Sequence, residues 1–301
     1  MAAIFVHYKH KHYMDIQVKI INAFSIGNAG GNPAGVILNA DALSATDKQQ
    51  LATRLGFPET AFVSASQSAA VKLDFFTPRK QIPHCGHATI AVFSYLRQQG
   101  LLTDTISSNE TIDGKRAIFF EANNAFMEQR APSYHQPETD FLRILDSLQL
   151  SESDLIPGLR PTIVNTGNSF LIVPVQNEAT LSQVKPDLAL IQAISEQYNL
   201  IGYYLYSQPS DQNLDATTRM FAPFYGIDEE AATGMAAGPL ACFLWATGLE
   251  KKALLRIQQG KFMHLPSESL LEARLDIQDN TITGLLVGGG AYVSGEQMIH
   301  L

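Results

Sequence analysis

The amino-acid sequence predicts an α+β protein built as two similar halves. Three observations carry this expectation. The chain has 301 residues with 46% hydrophobic and 17% charged content, enough for a substantial core and two domains of ordinary size. Short alternating apolar runs bounded by Gly, Pro and Asn are interrupted by segments of helical pattern. The segment FFTPRKQIPHCGHATIAVFSYLRQQG and the later segment MFAPFYGIDEEAATGMAAGPLACFLWATG share one layout: Phe-x-Pro, a short loop, a helix start made of small residues, and a terminal Gly.

Taken in order, residues 16–24 and 34–38 read as strands, and Ser44 to Leu55 as a helix. Ser44 with Asp47 three residues on forms the start signal, and Gly56 followed by Pro58 the stop. Residues 60–65 and 71–76 are again strand-like. A second helix opens near Gly86-His87-Ala88 and runs through Ile90, Phe93 and Leu96 to Gly100. The polar, proline-containing stretch Gln129 to Gln136 marks a crossover, followed by the helix-like FLRILDSLQL and the strand-like PTIVNTGNSFLIVPV. A polar loop from Arg219 to Pro223, an acidic loop and the helix TGMAAGPLACFLWAT, closed by Gly248, complete the second half. The expected division is 14–128 for the N-terminal unit, completed by a C-terminal strand at about 294–301, and 131–293 for the second unit. Residues 1–13, with His7, His10 and His12 among Lys and Tyr, read as a leader or tag-like tail.

Composition narrows the partners. The net charge of -8, the pI near 5.5 and the lack of a Lys/Arg run argue against nucleic acid. No apolar stretch has the length of a membrane span, and the first residues lack a signal-peptide core, so a cytoplasmic protein is expected. Cys85 and Cys242 are too few for a disulfide framework. A helix that starts with Gly, Ala and Thr presents open backbone N–H groups and a positive dipole end, and two such starts face to face would suit a carboxylate.

Five short segments carry a resemblance: Gly31-Asn32-Pro33-Ala34-Gly35-Val36, Pro58-Glu59-Thr60-Ala61-Phe62-Val63, Phe76-Thr77-Pro78, Cys85-Gly86-His87-Ala88-Thr89 and Thr233-Gly234. With the Gly-rich terminal strand LLVGGGAYVSGEQMIHL they resemble, in order and spacing, the PhzF family of phenazine-biosynthesis-like isomerases. The resemblance implies a diaminopimelate-epimerase-like fold: two pseudo-symmetric domains, each a mostly antiparallel sheet around a central helix. It also implies a homodimer and a small anionic molecule in the cleft between the domains. By position, the family's catalytic glutamate falls on Glu59, its Gly-His-Ala-Thr histidine on His87, and its second acid on Glu230. The substrate-binding positions become Asn32, Gly86, Ala88, Thr233, Gly234 and Met235. Four residues depart from the family pattern. Glu230-Ala231 stands for Asp-Pro, Met235 for a Ser or small amide, and Gln81 for a Glu.

The chemistry gives these assignments a reason. Moving a proton between carbons needs a carboxylate poised near the working pH and groups that stabilise enolate-like charge. Glu59, set beside Phe57 and Phe62, is expected to have its pKa raised by desolvation. On the residues alone, the simpler reading is that Glu59 caps or hydrogen-bonds a turn and His87 is a satisfied, partly buried imidazole. The competing enzyme reading is a thiol-dependent racemase or epimerase using Cys85, whose helix-start position would lower a thiol pKa. The place matching it in the second half, near Ala231 and Ala232, carries no thiol. A non-catalytic binder of a small acid is the reading from another class, motivated by Glu230 and Met235. No cofactor and no metal are expected: His84, Cys85 and His87 lack a matched ligand cluster, GNAGGNPAG lacks the G-x-G-x-x-G spacing, and there is no G-x-S-x-G elbow.

Overall fold

Helix α1 (Ala45–Leu55) shows how directly local sequence sets the elements. Ser44 Oγ accepts from the Asp47 N–H while the Asp47 carboxylate accepts from the Ser44 N–H, and Gly56 closes the helix at φ 71°. The computed structural model describes residues 14–301, so the leader at 1–13 lies outside the described residues. In the first half, α1 sits among strands β1 (Asp15–Ala23), β2 (Asn32–Ile37), β3 (Thr60–Ser64), β4 (Val71–Phe76) and β5 (Gln81–Ile82). Helix α2 (Gly86–Gln98) and strands β6 (Ile106–Thr111), β7 (Gly114–Glu121) and β8 (Asn124–Arg130) follow. The second half runs β9 (Ser133–His135), α3 (Phe141–Asp146), β10 (Thr162–Asn165), β11 (Ser169–Pro174), α4 (Glu178–Gln183), α5 (Leu188–Tyr198), β12 (Gly202–Ser207) and β13 (Ala216–Phe221). It continues with α6 (Gly234–Thr247), β14 (Leu254–Gln259), β15 (Ser269–Gln278) and β16 (Thr281–Gly289), and the chain ends in β17 (Ala291–His300).

Strands β8 and β16 pair antiparallel at a central seam. Outward from it one side reads β8, β7, β6, β4, β3, β2, β1, β17 and the other β16, β15, β14, β13, β12, β11, β10, β9. The parallel pairings fall at matching places, β4–β6 and β2–β3 against β13–β14 and β11–β12, and the rest of each ladder is antiparallel. Each ladder ends in a strand that follows the other side's seam strand in the chain: β17 on β1, and β9 on β10. The duplication read from the sequence is thus a twofold repeat of pairing, and the fold is the expected α+β arrangement.

Each half of the sheet curls around one helix. Helix α2 touches β1, β2, β3, β8 and β17, and α6 touches the counterparts β10, β11, β12 and β16 as well as β15. Such a helix must be apolar on every side. Residues 87–96 of α2 and 236–244 of α6 are buried throughout, and both helices belong to one continuous core. A second core lies under α3 and α5, and a third under α1. Pro239 lies within α6 and withholds the N–H that would bond the Met235 carbonyl one turn earlier.

Two sequence readings need correction here. Arg219 to Phe221, read as a polar loop, are the end of β13. Arg219 is buried there because its guanidinium makes a two-pronged ion pair with Glu229 (2.8 and 3.0 Å) and donates to the carbonyls of Leu181 and Val184. Phe62 does not flank Glu59. Side chains alternate along β3, so Ala61 and Val63 join the core around α2 while Phe62 packs edge-on to Phe76 beneath α1. Among the described residues no helix is long and apolar enough to cross a membrane.

Candidate active site

Glu59 is placed by the entry into β3. The chain leaves α1 at Gly56, turns through Pro58 and pairs with β2, where the Gly35 N–H donates to the Glu59 carbonyl at 3.1 Å. Gly35 eases this approach, since a Cβ there would sit tightly, 3.0 Å from the Phe57 ring and 3.1 Å from Thr60 Oγ1. His87 comes from the first turn of α2, which follows the extended residue Cys85. Glu230 comes from the acidic loop before α6.

These side chains converge. His87 Nε2 lies 3.3 Å from Glu59 Oε2, and His87 Nδ1 lies 3.8 Å from Glu230 Oε1 and 3.6 Å from Cys85 Sγ. The Glu59 side chain is 13% exposed and that of His87 5%. Glu59 Oε2 and His87 Nε2 are not aligned as a hydrogen bond, and neither has another hydrogen-bond partner among the described residues. Glu230 is better held: Asn32 Nδ2 donates to it at 2.9 Å and to the Ala232 carbonyl at 3.0 Å, and the Thr233 hydroxyl donates to its other oxygen. Among the described residues, the only ion-pair partner of either carboxylate is His87.

Burial sets the protonation. It pushes the Glu59 carboxyl up to about 7. It also raises Glu230, against the pull of His87 and Thr233, and lowers His87 against the attraction of Glu230. Burial first, and the Glu59 charge second, drive the Cys85 thiol well above its ordinary range. Thus the helix start does not activate this thiol, because desolvation outweighs the amides of Ala88 and His87. The other cysteine, Cys242, is buried inside α6, with its thiol pushed up to about 12.

The remaining predicted residues fall as follows. The starts of α2 and α6 meet: a Cβ on Gly86 would touch Met235 Cγ at 3.7 Å. Met235 itself occupies the space between them, its sulfur accepting from Asn168 Nδ2 at 3.4 Å. Gly234 sits over the Phe24 ring, and its carbonyl accepts from Gln129 Nε2 at 2.9 Å. Ala88 is fully buried in the core around α2. Gln81 lies on the two-residue strand β5, paired with Phe76. His84 is not brought to the cluster. It stacks edge-on to Phe75 with its pKa pushed down to about 4 by burial.

Residues 21–296 match the family model described as phenazine biosynthesis-like protein, PhzC-PhzF. The chain belongs to this family. Its PhzF-family relatives include the uncharacterized isomerase YddE of Escherichia coli K12, 32% identical over 291 residues, covering 93% of this chain and 97% of that one. The trans-2,3-dihydro-3-hydroxyanthranilate isomerase of Pseudomonas chlororaphis is 31% identical over 290 residues, covering 94% and 98%. A PhzF-family crystal structure from Bacillus anthracis superposes with a TM-score of 0.84 at 27% identity, covering 95% of this chain and 99% of that one. A hydroxyproline epimerase from Agrobacterium vitis shares the fold alone, with a TM-score of 0.56 at 13% identity over 95% and 93% of the two chains. The relatives are isomerases by name, and this PhzF-family chain is an isomerase.

This PhzF-family site also contains residues that sequence reasoning missed. Gln259 Nε2 donates to the Glu230 carbonyl at 2.7 Å and to Thr233 Oγ1 at 3.1 Å, while its Oε1 accepts from the Thr233 N–H at 3.0 Å and from the Tyr204 hydroxyl at 2.9 Å. Thr218 Oγ1 lies 3.1 Å from the Tyr204 hydroxyl, within the same network. These bonds and the Arg219–Glu229 pair hold the loop that lacks the family's proline at Ala231. A signal did exist. Leu255, Ile257 and Gln259 alternate on one face of β14, and all three are fully buried, so a glutamine on that face needs partners.

Proposed function

We propose that this isomerase moves a proton between two carbons of a small carboxylic acid without a cofactor, with Glu59 taking the proton and returning it. One observation carries the proposal: the Glu59 carboxyl is buried, has one oxygen with no hydrogen-bond partner, and is poised at about 7 beside His87. A carboxyl with that pKa is present in both forms at neutral pH, as a group that must accept and then donate requires. In the proposed step the Glu59 carboxylate removes a proton from the reacting carbon, and the electron pair delocalises through an adjoining double bond. The Glu59 acid then delivers the proton to the receiving carbon. His87 and Glu230 orient the substrate and supply hydrogen bonds to the developing charge.

The substrate carboxylate would sit in the cleft where α2 and α6 begin, against Asn32, Gly86, Ala88, Thr233, Gly234 and Met235. Two helix N-termini favour an anion there. That cleft would separate two units, residues 14–128 with about 294–301 and residues 131–293. A homodimer is what the family resemblance implies, a biosynthetic role fits the family's description, and the two free thiols fit the cytoplasm.

The test is incubation with a panel of cyclic and unsaturated carboxylic acids in deuterated water. The panel begins with trans-2,3-dihydro-3-hydroxyanthranilate, the compound in the Pseudomonas chlororaphis relative's name. Solvent deuterium in an isomerised product, lost in Glu59→Gln, supports the proposal. Tight binding of an acid without exchange or isomerisation overturns it in favour of a non-catalytic binder.

A further inference from the structure

The two halves of the molecule repeat each other in pairing but not in the chemistry they bring to the cleft. Strands β2 and β11 hold matching places, each antiparallel to the strand before it and parallel to the strand after it. Gly31-Asn32 leads into the first and Gly167-Asn168 into the second. Helices α2 and α6 open on Gly86-His87 and Gly234-Met235. Asn168 and Met235 are therefore the second-half images of Asn32 and His87. In the first half these places serve charge: Asn32 donates to the Glu230 carboxylate, and His87 has a carboxylate beside each ring nitrogen. In the second half they serve each other, since Asn168 Nδ2 donates to the Met235 sulfur at 3.4 Å.

Met235 thereby gives the α6 side of the cleft an apolar wall. A Cβ on Gly86 would meet its Cγ at 3.7 Å, so the side chain reaches across to the start of α2. It packs against the core that both helices share, and Asn168 holds its sulfur. No acidic side chain lies in the first turn of α6. A thioether is a weak acceptor and donates nothing. A hydroxyl or amine pressed against it gives up water for almost no hydrogen bond, a cost that a hydrocarbon edge does not carry.

We infer that Met235, held by Asn168, is the specificity-determining residue of this isomerase: the accepted acid turns an unsubstituted hydrocarbon edge toward α6 and keeps its polar substituents on the side of His87 and Glu230. This rests on the proposed binding of a small carboxylate where α2 and α6 begin.

Calorimetry on the full chain with benzoate and its ortho-, meta- and para-hydroxy derivatives reads the wall without turnover. The wild type should bind benzoate more tightly than the hydroxy acid whose hydroxyl meets Met235, by up to about a hundredfold, the discrimination an apolar pocket reaches against an added hydroxyl. Met235→Ser supplies a hydrogen-bond partner and should cut that preference at least about tenfold. Met235→Thr should act as Met235→Ser does, which covers a serine variant that folds poorly. Met235→Leu, apolar and of similar volume, should keep the preference. Equal binding of all four acids by the wild type overturns the assignment, as does a preference that survives both polar variants or one that Met235→Leu also loses. If none of the four binds the wild type, the assignment and the small-acid reading fall together. If they bind without preference while the carboxylic-acid panel shows exchange that Glu59→Gln removes, the role of Met235 alone falls. A preference that switches with Met235, with no exchange in any acid of the panel, supports the wall and overturns the proton transfer.

Discussion

Replacing Glu59 by Gln should make the protein more stable at neutral pH, and the gain can be worked from the site. Folding lifts this carboxyl from 4.5 to about 7 because burial disfavours its charge. Below the lower value both folded and unfolded chains hold the proton, and Glu59 costs nothing. Between the two values the folded chain keeps a proton that the unfolded chain has released, so stability falls as pH rises, and above the upper value the loss is complete. At about 1.4 kcal/mol per pH unit at its steepest, the loss from pH 5 to pH 8 is about 2.5 kcal/mol. Little solvent screening applies, since the side chain is 13% exposed. Glutamine is nearly isosteric and has no charge to desolvate. Urea unfolding of both proteins at pH 5, 6, 7 and 8 should give close stabilities at the acid end and a Glu59→Gln advantage of about 2 to 3 kcal/mol at the alkaline end, with similar m-values. Subtraction cancels groups that titrate alike in both proteins. Glu230, whose carboxyl the Glu59 charge also pushes up, adds to the gap in the same direction. Parallel stability curves across this range would refute a buried, near-neutral Glu59.

Three further outcomes follow from the same geometry. Gln259→Leu strands the Thr233 N–H and the Tyr204 hydroxyl, so urea unfolding should show a loss of about 2 to 4 kcal/mol, with activity falling as Glu230 shifts. Ala at Gly234 would place a Cβ 2.9 Å from the Phe24 ring and should cost about 1 to 3 kcal/mol, whereas Gly86→Ala, with its nearest neighbour at 3.7 Å, should be neutral or slightly stabilising. If the cleft takes an anion beside Glu59, its affinity should fall by at most about tenfold per pH unit as the pH passes 7, and calorimetry with a neutral ester of the same acid should show no such slope.

How far the sequence reached depended on whether the signal was local. Ser44 with Asp47 and Gly56 fixed α1 because a capping box and a left-handed glycine act within a few residues. Strands β1, β3 and β4 were legible from apolar runs, and the helix starts at Gly86 and Gly234 from their small residues. Helices α4 and α5 went unread, although Asn177 and Asp187 cap them by accepting from the N–H groups of Thr180 and Leu190. The convergence of Glu59, His87 and Glu230 was reached through family resemblance, because local pattern cannot bring together residues 28 and 143 positions apart. The raised Glu59 pKa was expected from burial, but Phe62 was the wrong neighbour: alternation shows that faces differ without saying which core each face meets. The bracing of Glu230 by Gln259 and Tyr204 joins a loop to two separate strands and was visible only as an unexplained buried-face glutamine.

The central claim is that one carboxyl, Glu59, both removes and returns the migrating proton. The most direct test is a single turnover in ordinary water with the accepted acid deuterated at its reacting carbon. The account predicts that part of the label reappears on the receiving carbon, with the remainder lost to solvent, and that Glu59→Gln slows the step by about 10² to 10⁴-fold. Turnover by Glu59→Gln at close to the wild-type rate, with the same label distribution, would contradict it.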